Sequence, residues 1–336
     1  MVMKMIEHTE TPEFPIDAVI TWVDGNDPAH KAARYKYSHN GEEFKYEDVA
    51  SDIRYTSLGE IKYCVASFLR FAPWIRKIYL LTPGQDPHLE DFLDKNFPNR
   101  TTEIEIVNQD VVFRGYEQCL PVFNSLSVET VVWRIPGLSE HYIYSNDDFF
   151  LARPVKPSDF FRDGKMVAYV RPYRVSTVRR KKFFRSLLPG HHVIKWRYCM
   201  GNAAKVVGEK KRFPHIRHIP MAQMKSLFEQ FYAEHEDVMI RNMNCRFREM
   251  HQYHSQVLSY LLAERQNLII EIYNGDYALY VHPKPKRGKD YFKKKLEKFD
   301  QNTLALFGCF NSLDRGSESD KKMAFDWIQR RLNVIE

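Results

Sequence analysis

The stretch His141-Tyr-Ile-Tyr-Ser-Asn-Asp-Asp-Phe-Phe-Leu151 decides how this chain is read. An apolar, aromatic-rich run marks a buried strand, and it stops abruptly at Asn146, Asp147 and Asp148 before a second apolar patch. Open α/β sheets bind ligands just outside the carboxyl ends of their strands, which is where these two carboxylates stand. Adjacent negative charges repel unless a cation neutralises them, and a hard divalent ion accepts carboxylate and phosphate oxygens together. A solvated Asx turn closing a strand would use the same residues, so the rest of the chain has to weigh in.

Upstream, residues 16–23 read as a strand cut off by the turn Asp24-Gly25-Asn26-Asp27-Pro28. Residues 59–72 read as a helix, with Ile61, Val65, Phe68 and Leu69 at helical spacing and Pro73 stopping it. Strands are expected over 75–82, 103–107 and 142–144, and helices over 88–95 and 124–133. Such alternation implies a largely parallel sheet with Rossmann-like crossovers.

Beyond Leu151 the pattern changes. Residues 154–215 look loop-rich and basic, and helices are expected over 222–233 and 249–263, with a short strand over 268–273. Ser319 is positioned to cap a last helix whose apolar face is Met323, Phe325, Trp327, Ile328 and Leu332. The expected division is an α/β core over 1–153 and a helical, loop-rich cap over 154–336 that completes the same domain.

Length and composition permit a large core: 336 residues, 44% of them hydrophobic. The formal net charge is +7. One basic cluster holds Arg171, Arg174, Arg179, Arg180, Lys181, Lys182 and Arg185. A second, from Lys284 to Lys298, sets seven Lys and Arg287 against Asp290 and Glu297. Each is either a solvated face or an attractor for anions: nucleotide phosphates, an acidic glycan or an anionic membrane surface. No zinc-finger spacing, recognition-helix pattern or RNA-binding aromatic motif accompanies the charge, so nucleic acid is not an expected partner.

Five cysteines are scattered without paired spacing, which argues against a disulfide framework or structural zinc and for a reducing compartment. The first residues lack the apolar core of a signal peptide, and no run approaches the roughly 20 apolar residues of a membrane span. The expectation is a cytoplasmic protein whose membrane contact, if any, is peripheral at the inner face through the basic segments.

Further polar residues stand out by position. Asp17 lies early in the first strand, where a carboxylate is costly without a partner. Asp24 and Asp27 flank the turn that ends that strand. His218-Ile-Pro220 and Arg246-Phe-Arg248 lie in the second half, and taken singly would pass for ordinary surface or core residues.

Together these segments resemble the Stealth proteins, which include bacterial capsular polysaccharide phosphotransferases and the eukaryotic enzyme that transfers N-acetylglucosamine 1-phosphate to lysosomal glycoproteins. The first block of resemblance is Phe14-Pro-Ile-Asp-Ala-Val-Ile-Thr-Trp-Val-Asp-Gly-Asn-Asp27. The second runs through Gly59-Glu-Ile-Lys-Tyr63, Phe71-Ala-Pro-Trp-Ile-Arg76, Leu120-Pro-Val-Phe-Asn124, Glu129, Arg134-Ile-Pro-Gly-Leu-Ser139 and Asn146-Asp-Asp148. The third is His218-Ile-Pro220 with Arg248, and the fourth is a faint Cys309-Phe-Asn311. The chain departs from the family pattern at Ser57, which replaces an Asp after Arg54, and at Ser312 and Leu313, which replace Asp and Asn.

The resemblance implies a glycosyltransferase-A-like core that binds a nucleotide sugar. It implies a phosphotransferase that moves hexose 1-phosphate from a UDP-sugar to a hydroxyl of a polysaccharide or oligosaccharide acceptor in capsule or exopolysaccharide synthesis, with release of UMP. Asp147 and Asp148 would hold Mg²⁺ or Mn²⁺. Asp17, His218, Arg248 and Asp148 would carry the chemistry, with His218 as base and Arg248 as phosphate clamp. Trp22, Asp27, Arg54, Asn124, Glu129 and Asn311 would contact substrate. Two alternatives stay open: a metal-dependent glycosyltransferase that releases UDP, and a non-catalytic protein that binds anionic glycan through its basic clusters.

Overall fold

The computed structural model describes residues 10–38, 55–186, 196–273, 277–283 and 290–336. Arg54 and residues 284–289 of the second basic cluster lie outside them. At the centre runs β1, Ile16–Thr21, flanked on one side by β2, Lys77–Thr82, and β3, Glu103–Asn108, and on the other by β4, His141–Asn146. These four strands are parallel, and their register sets Thr21 beside both Leu81 and Asn146. The three inner strands are buried almost throughout, as parallel strands covered on both faces must be, so they carry apolar runs instead of alternation. Helices Glu60–Phe71 and Glu90–Asn96 supply the crossovers.

After β4 the chain turns through Asp147 and Asp148 into β5, Phe149–Leu151, and then β6, Phe161–Arg162, and β7, Lys165–Tyr169. Next come β8, Arg171–Arg174, helices Val175–Ser186 and Trp196–Val206, and β9, Arg212–His215. The described part of 154–215 is therefore not loop-rich. Its strands are two to five residues long, too short for a hydrophobic period to show.

β10, Met221–Met224, pairs antiparallel with β4 at the edge of the central sheet. The expected helix over 222–233 thus begins later, as Lys225–Glu234. Every residue of β10 is buried, and a short apolar run of that kind does not distinguish strand from helix in sequence. The helix expected over 249–263 is Ser255–Arg265, and the strand expected over 268–273 is β11, Ile269–Ile272. β11 extends β7 and β6, while β12, Ala278–Val281, and β13, Phe307–Phe310, join β5 in a further small sheet. The last helix, Glu318–Leu332, is capped by Ser317 and not by Ser319. Ser317 Oγ accepts from Asp320 N at 3.1 Å, and the Asp320 carboxylate accepts in return from Ser317 N. One continuous core reaches from β1 to Leu332. Among the described residues no helix is long and apolar enough to cross a membrane.

Candidate active site

A cleft of about 470 Å³ opens beyond the carboxyl ends of β1 and β4, within the size range of ligand pockets. β4 delivers Asn146, Asp147 and Asp148 to its floor. Asn146 is fixed there because Thr21 Oγ1 and Tyr144 OH both donate to its Oδ1, at 3.1 and 2.7 Å. Asp148 is held by β13: its carbonyl accepts from Phe310 N at 3.1 Å, and its carboxylate accepts from Asn311 Nδ2 and Cys309 Sγ, both at 3.4 Å.

Burial raises both aspartates above the ordinary carboxylate range, and for Asp147 repulsion by Asp148 and then by Glu60 adds to it. Glu60 is raised by burial too, with Asp148 and Asp314 adding to the effect. All four carboxylates line the cleft. Among the described residues no cationic side chain forms an ion pair with Asp147 or Asp148. Hard oxygen donors, crowded together and unpaired, suit a divalent cation. A second group, Asp86, His88 and Glu90, has ligand atoms within 4.8 Å of one another but is exposed on the chain after β2. Exposed acidic groups of that kind are ordinary.

His218 reaches the same cleft because β10 is antiparallel to β4. The segment leading into β10 arrives at the carboxyl edge, where Met221 stands beside Tyr144. The His218 ring stacks on Trp196 at 5.4 Å and meets Tyr280 at 5.1 Å, with Phe149 edge-on at 5.8 Å. Burial pushes its pKa down to about 4, helped by His215, His282 and Arg248. Arg248 donates to Ser125 Oγ at 3.2 Å and places its guanidinium over the Trp196 ring at 5.9 Å. Its segment is tied down where Phe123 N donates to the Arg246 carbonyl at 2.7 Å.

The structure thus brings together Trp22, Asn124, Asp147, Asp148, His218, Arg248 and Asn311 on one cleft wall or floor. Trp22 is turned by a bond from Nε1 to Ser57 Oγ at 3.5 Å, so the departure at Ser57 supports an aromatic wall. Asn124 lines the cleft, but its amide is engaged by the scaffold: Nδ2 donates to Gln252 Oε1 and the Cys245 carbonyl, and Oδ1 accepts from Leu126 N. It fastens the Arg248 segment in place.

Three expected residues stand elsewhere. Asp17 lies at the amino end of β1, opposite to the cleft, where Arg76 grips both its oxygens at 2.8 and 2.6 Å and Ser139 N adds a third bond. Its cost of burial is met by this partner, so an early-strand carboxylate here is structural. Asp27 starts helix Pro28–Ser38 by accepting from His30 N at 2.7 Å, and it lines an adjoining hollow with Trp22 and Gln85. Glu129 is buried behind the cleft wall, 3.8 Å from His254, with Arg248 close enough to attract its charge. Burial pushes Glu129 up to about 7 and His254 well down, so each is shifted toward its neutral form.

Trp196, Glu60 and Asp314 line the cleft and His254 packs against Trp196, and none of the four was expected as a site residue from the sequence. Trp196 and His254 meet edge to face at 4.2 Å, yet they lie far apart in sequence and no spacing connects them. Asp314 had a visible signal. It follows Ser312 and Leu313, and it keeps a carboxylate at the cleft where those two depart from the family pattern.

Stealth protein conserved region 1 matches residues 14–42, and conserved region 2 matches residues 54–169. An exopolysaccharide phosphotransferase of Streptomyces coelicolor is 33% identical over 240 residues, covering 71% of this chain and 38% of that protein. The capsular polysaccharide phosphotransferase WcwK of Streptococcus pneumoniae is 38% identical over 154 residues, covering 46% of this chain and 43% of that protein. The chain therefore spans about two fifths of the length of these curated relatives. Among solved structures, an active-site mutant of LgtC aligns over 95% of this chain and 97% of its own at 9% identity, with a TM-score of 0.46. The two conserved regions match in order on the segments that build the β1 end of the cleft and the Asp147–Asp148 turn, and the chain belongs to the Stealth family.

Proposed function

We propose that the cleft transfers a sugar 1-phosphate from a nucleotide-activated sugar, a UDP-sugar by preference, to a hydroxyl of a capsular or exopolysaccharide acceptor. The observation that carries this reading is that a carboxylate pair, an uncharged imidazole and a guanidinium line one half-buried cleft. The names of the relatives, polysaccharide phosphotransferases, supply the reaction class.

The acceptor oxygen attacks the phosphorus that bears the sugar, and the bond from that phosphorus to the nucleotide breaks. His218, neutral at physiological pH, takes the acceptor proton. Nucleoside monophosphate leaves with the electron pair. Arg248 offers a planar fork to non-bridging oxygens, and its stacking beside Trp196 keeps the fork in place. Phosphoryl transfer asks mainly for positioning and charge neutralisation, which this wall provides. Asp147 and Asp148 would hold Mg²⁺ or Mn²⁺, with Glu60 and Asp314 nearby; that ion, when bound, neutralises pyrophosphate charge. Trp22 offers a flat apolar face for a base or sugar ring. A soluble donor and five separate thiols fit a reducing, cytoplasmic setting.

The test is incubation with a divalent cation, a panel of UDP-sugars and glycan oligosaccharides, with products separated by mass. Nucleoside monophosphate and a phosphodiester-linked product support the proposal. Nucleoside diphosphate with a glycosidic product would instead make the protein a glycosyltransferase, and no transfer at all, with glycan binding that survives chelation and the Asp147→Asn/Asp148→Asn double change, would leave a glycan-binding protein.

A further inference from the structure

From Gly164 to Gly208 the chain carries eleven Lys and Arg and not one Asp or Glu. Helix Val175–Ser186 crosses the middle of this stretch. It turns Val175 and Val178 into the core, while Arg179, Arg180 and Lys181 face solvent. Beside them Phe183 and Phe184 are each 61% exposed, with their rings edge to face at 5.8 Å. Other exposed large apolar side chains, such as Tyr35, Ile106 and Leu304, are scattered singly among the described residues. Two adjacent phenyl rings this exposed, on the same helix as Arg179, Arg180 and Lys181, are a specific device.

The second basic segment shows what an ordinary solvated helix looks like here. Helix Tyr291–Gln301 buries Phe292, Leu296 and Phe299 against its own protein. Lys293 and Lys294 have Glu297 and Asp290 as neighbours one turn away, each at 3.9 Å. It shows neither exposed aromatic rings nor one-signed charge.

We propose that the exposed face of helix Val175–Ser186 docks on an anionic phospholipid surface, with Arg179, Arg180 and Lys181 on headgroup phosphates and Phe183 and Phe184 in the acyl boundary. Charge alone would also suit a polyanionic glycan. The paired phenyl rings favour lipid, because a hydrocarbon interface removes both from water while the guanidinium groups stay wet. The neighbouring helix Trp196–Val206 opens with Trp196 in the cleft wall, so docking sets the cleft close to the membrane plane. The docking claim stands whether or not the cleft transfers a phosphosugar.

The experiment is co-sedimentation of the purified chain with vesicles of phosphatidylcholine alone or mixed with phosphatidylglycerol, at low and high salt. Binding is expected only with phosphatidylglycerol present, weakening as salt rises. The triple variant Arg179→Gln/Arg180→Gln/Lys181→Gln should lose affinity by about fivefold for each charge removed. Phe183→Ser/Phe184→Ser should keep its thermal melting curve and lose the binding that survives high salt. No sedimentation with phosphatidylglycerol vesicles overturns the proposal. So does wild-type binding by a normally melting Phe183→Ser/Phe184→Ser variant. Equal competition by a soluble anionic polysaccharide, unaffected by the phenylalanine changes, overturns it in favour of glycan.

Discussion

The imidazole of His218 owes its character to the rings around it. Its pKa near 4 leaves it unprotonated over the whole neutral range, so the acid limb of kcat/KM assigned to it should fall well below the 6.5 of an ordinary histidine. The linkage has a definite sign. The unfolded chain binds this proton near 6.5 and the folded chain only near 4, so the stability it contributes is full above 6.5 and is lost as pH falls toward 4. Urea midpoints of wild type and His218→Phe, compared at pH 7 and pH 5, should show the wild type losing more. At Arg248 a lysine cannot reproduce the fork or the stacking on Trp196, so Arg248→Lys should be nearly as damaging to kcat/KM as Arg248→Ala. Asp17 should behave oppositely. Asp17→Asn breaks its ion pair with Arg76, costing about 2 kcal/mol in denaturant unfolding, while the folded fraction keeps its turnover. The Asn146-Asp-Asp148 turn stands out in the sequence by itself, whereas His218 and Arg248 stand out only through the family resemblance. Asp17 was misplaced because a sequence shows that a strand carries a carboxylate but not which edge of the sheet receives it.

At the scale of elements, β13 matters because it carries Cys309 and Asn311 to Asp148. Gly308 lets it do so: a Cβ there would lie 2.2 Å from the Phe150 ring on β5. Gly308→Ala should therefore push β13 away, reduce activity at fixed substrate and lower the melting temperature together. Ser317→Ala removes the cap of the last helix and should cost about 1 kcal/mol in stability without touching kcat. The alternating helices and strands before Asp147 were legible because long apolar periods mark them. The helix expected over 124–133 breaks into Ser125–Glu129 and a 3-10 turn at Val132–Arg134, in a run rich in β-branched residues where Thr130 Oγ1 bonds back to the Leu126 carbonyl. β10 was hidden because four buried residues carry no period of their own.

At the scale of the whole molecule, the cleft is assembled from both halves of the sequence. The first half builds the parallel sheet and its carboxylate edge. The second returns antiparallel β10 to that sheet and β13 to β5, which brings His218 to the cleft and sets Asn311 against Asp148. Asp148→Asn should accordingly cut turnover by orders of magnitude with melting temperature preserved, and excess chelator should abolish wild-type turnover. The most direct measurement is phosphorus NMR of a complete reaction containing UDP-sugar, divalent cation and oligosaccharide acceptor. The account predicts a new phosphodiester resonance that grows with UMP; release of UDP, with no phosphorus retained on the glycan, would contradict it.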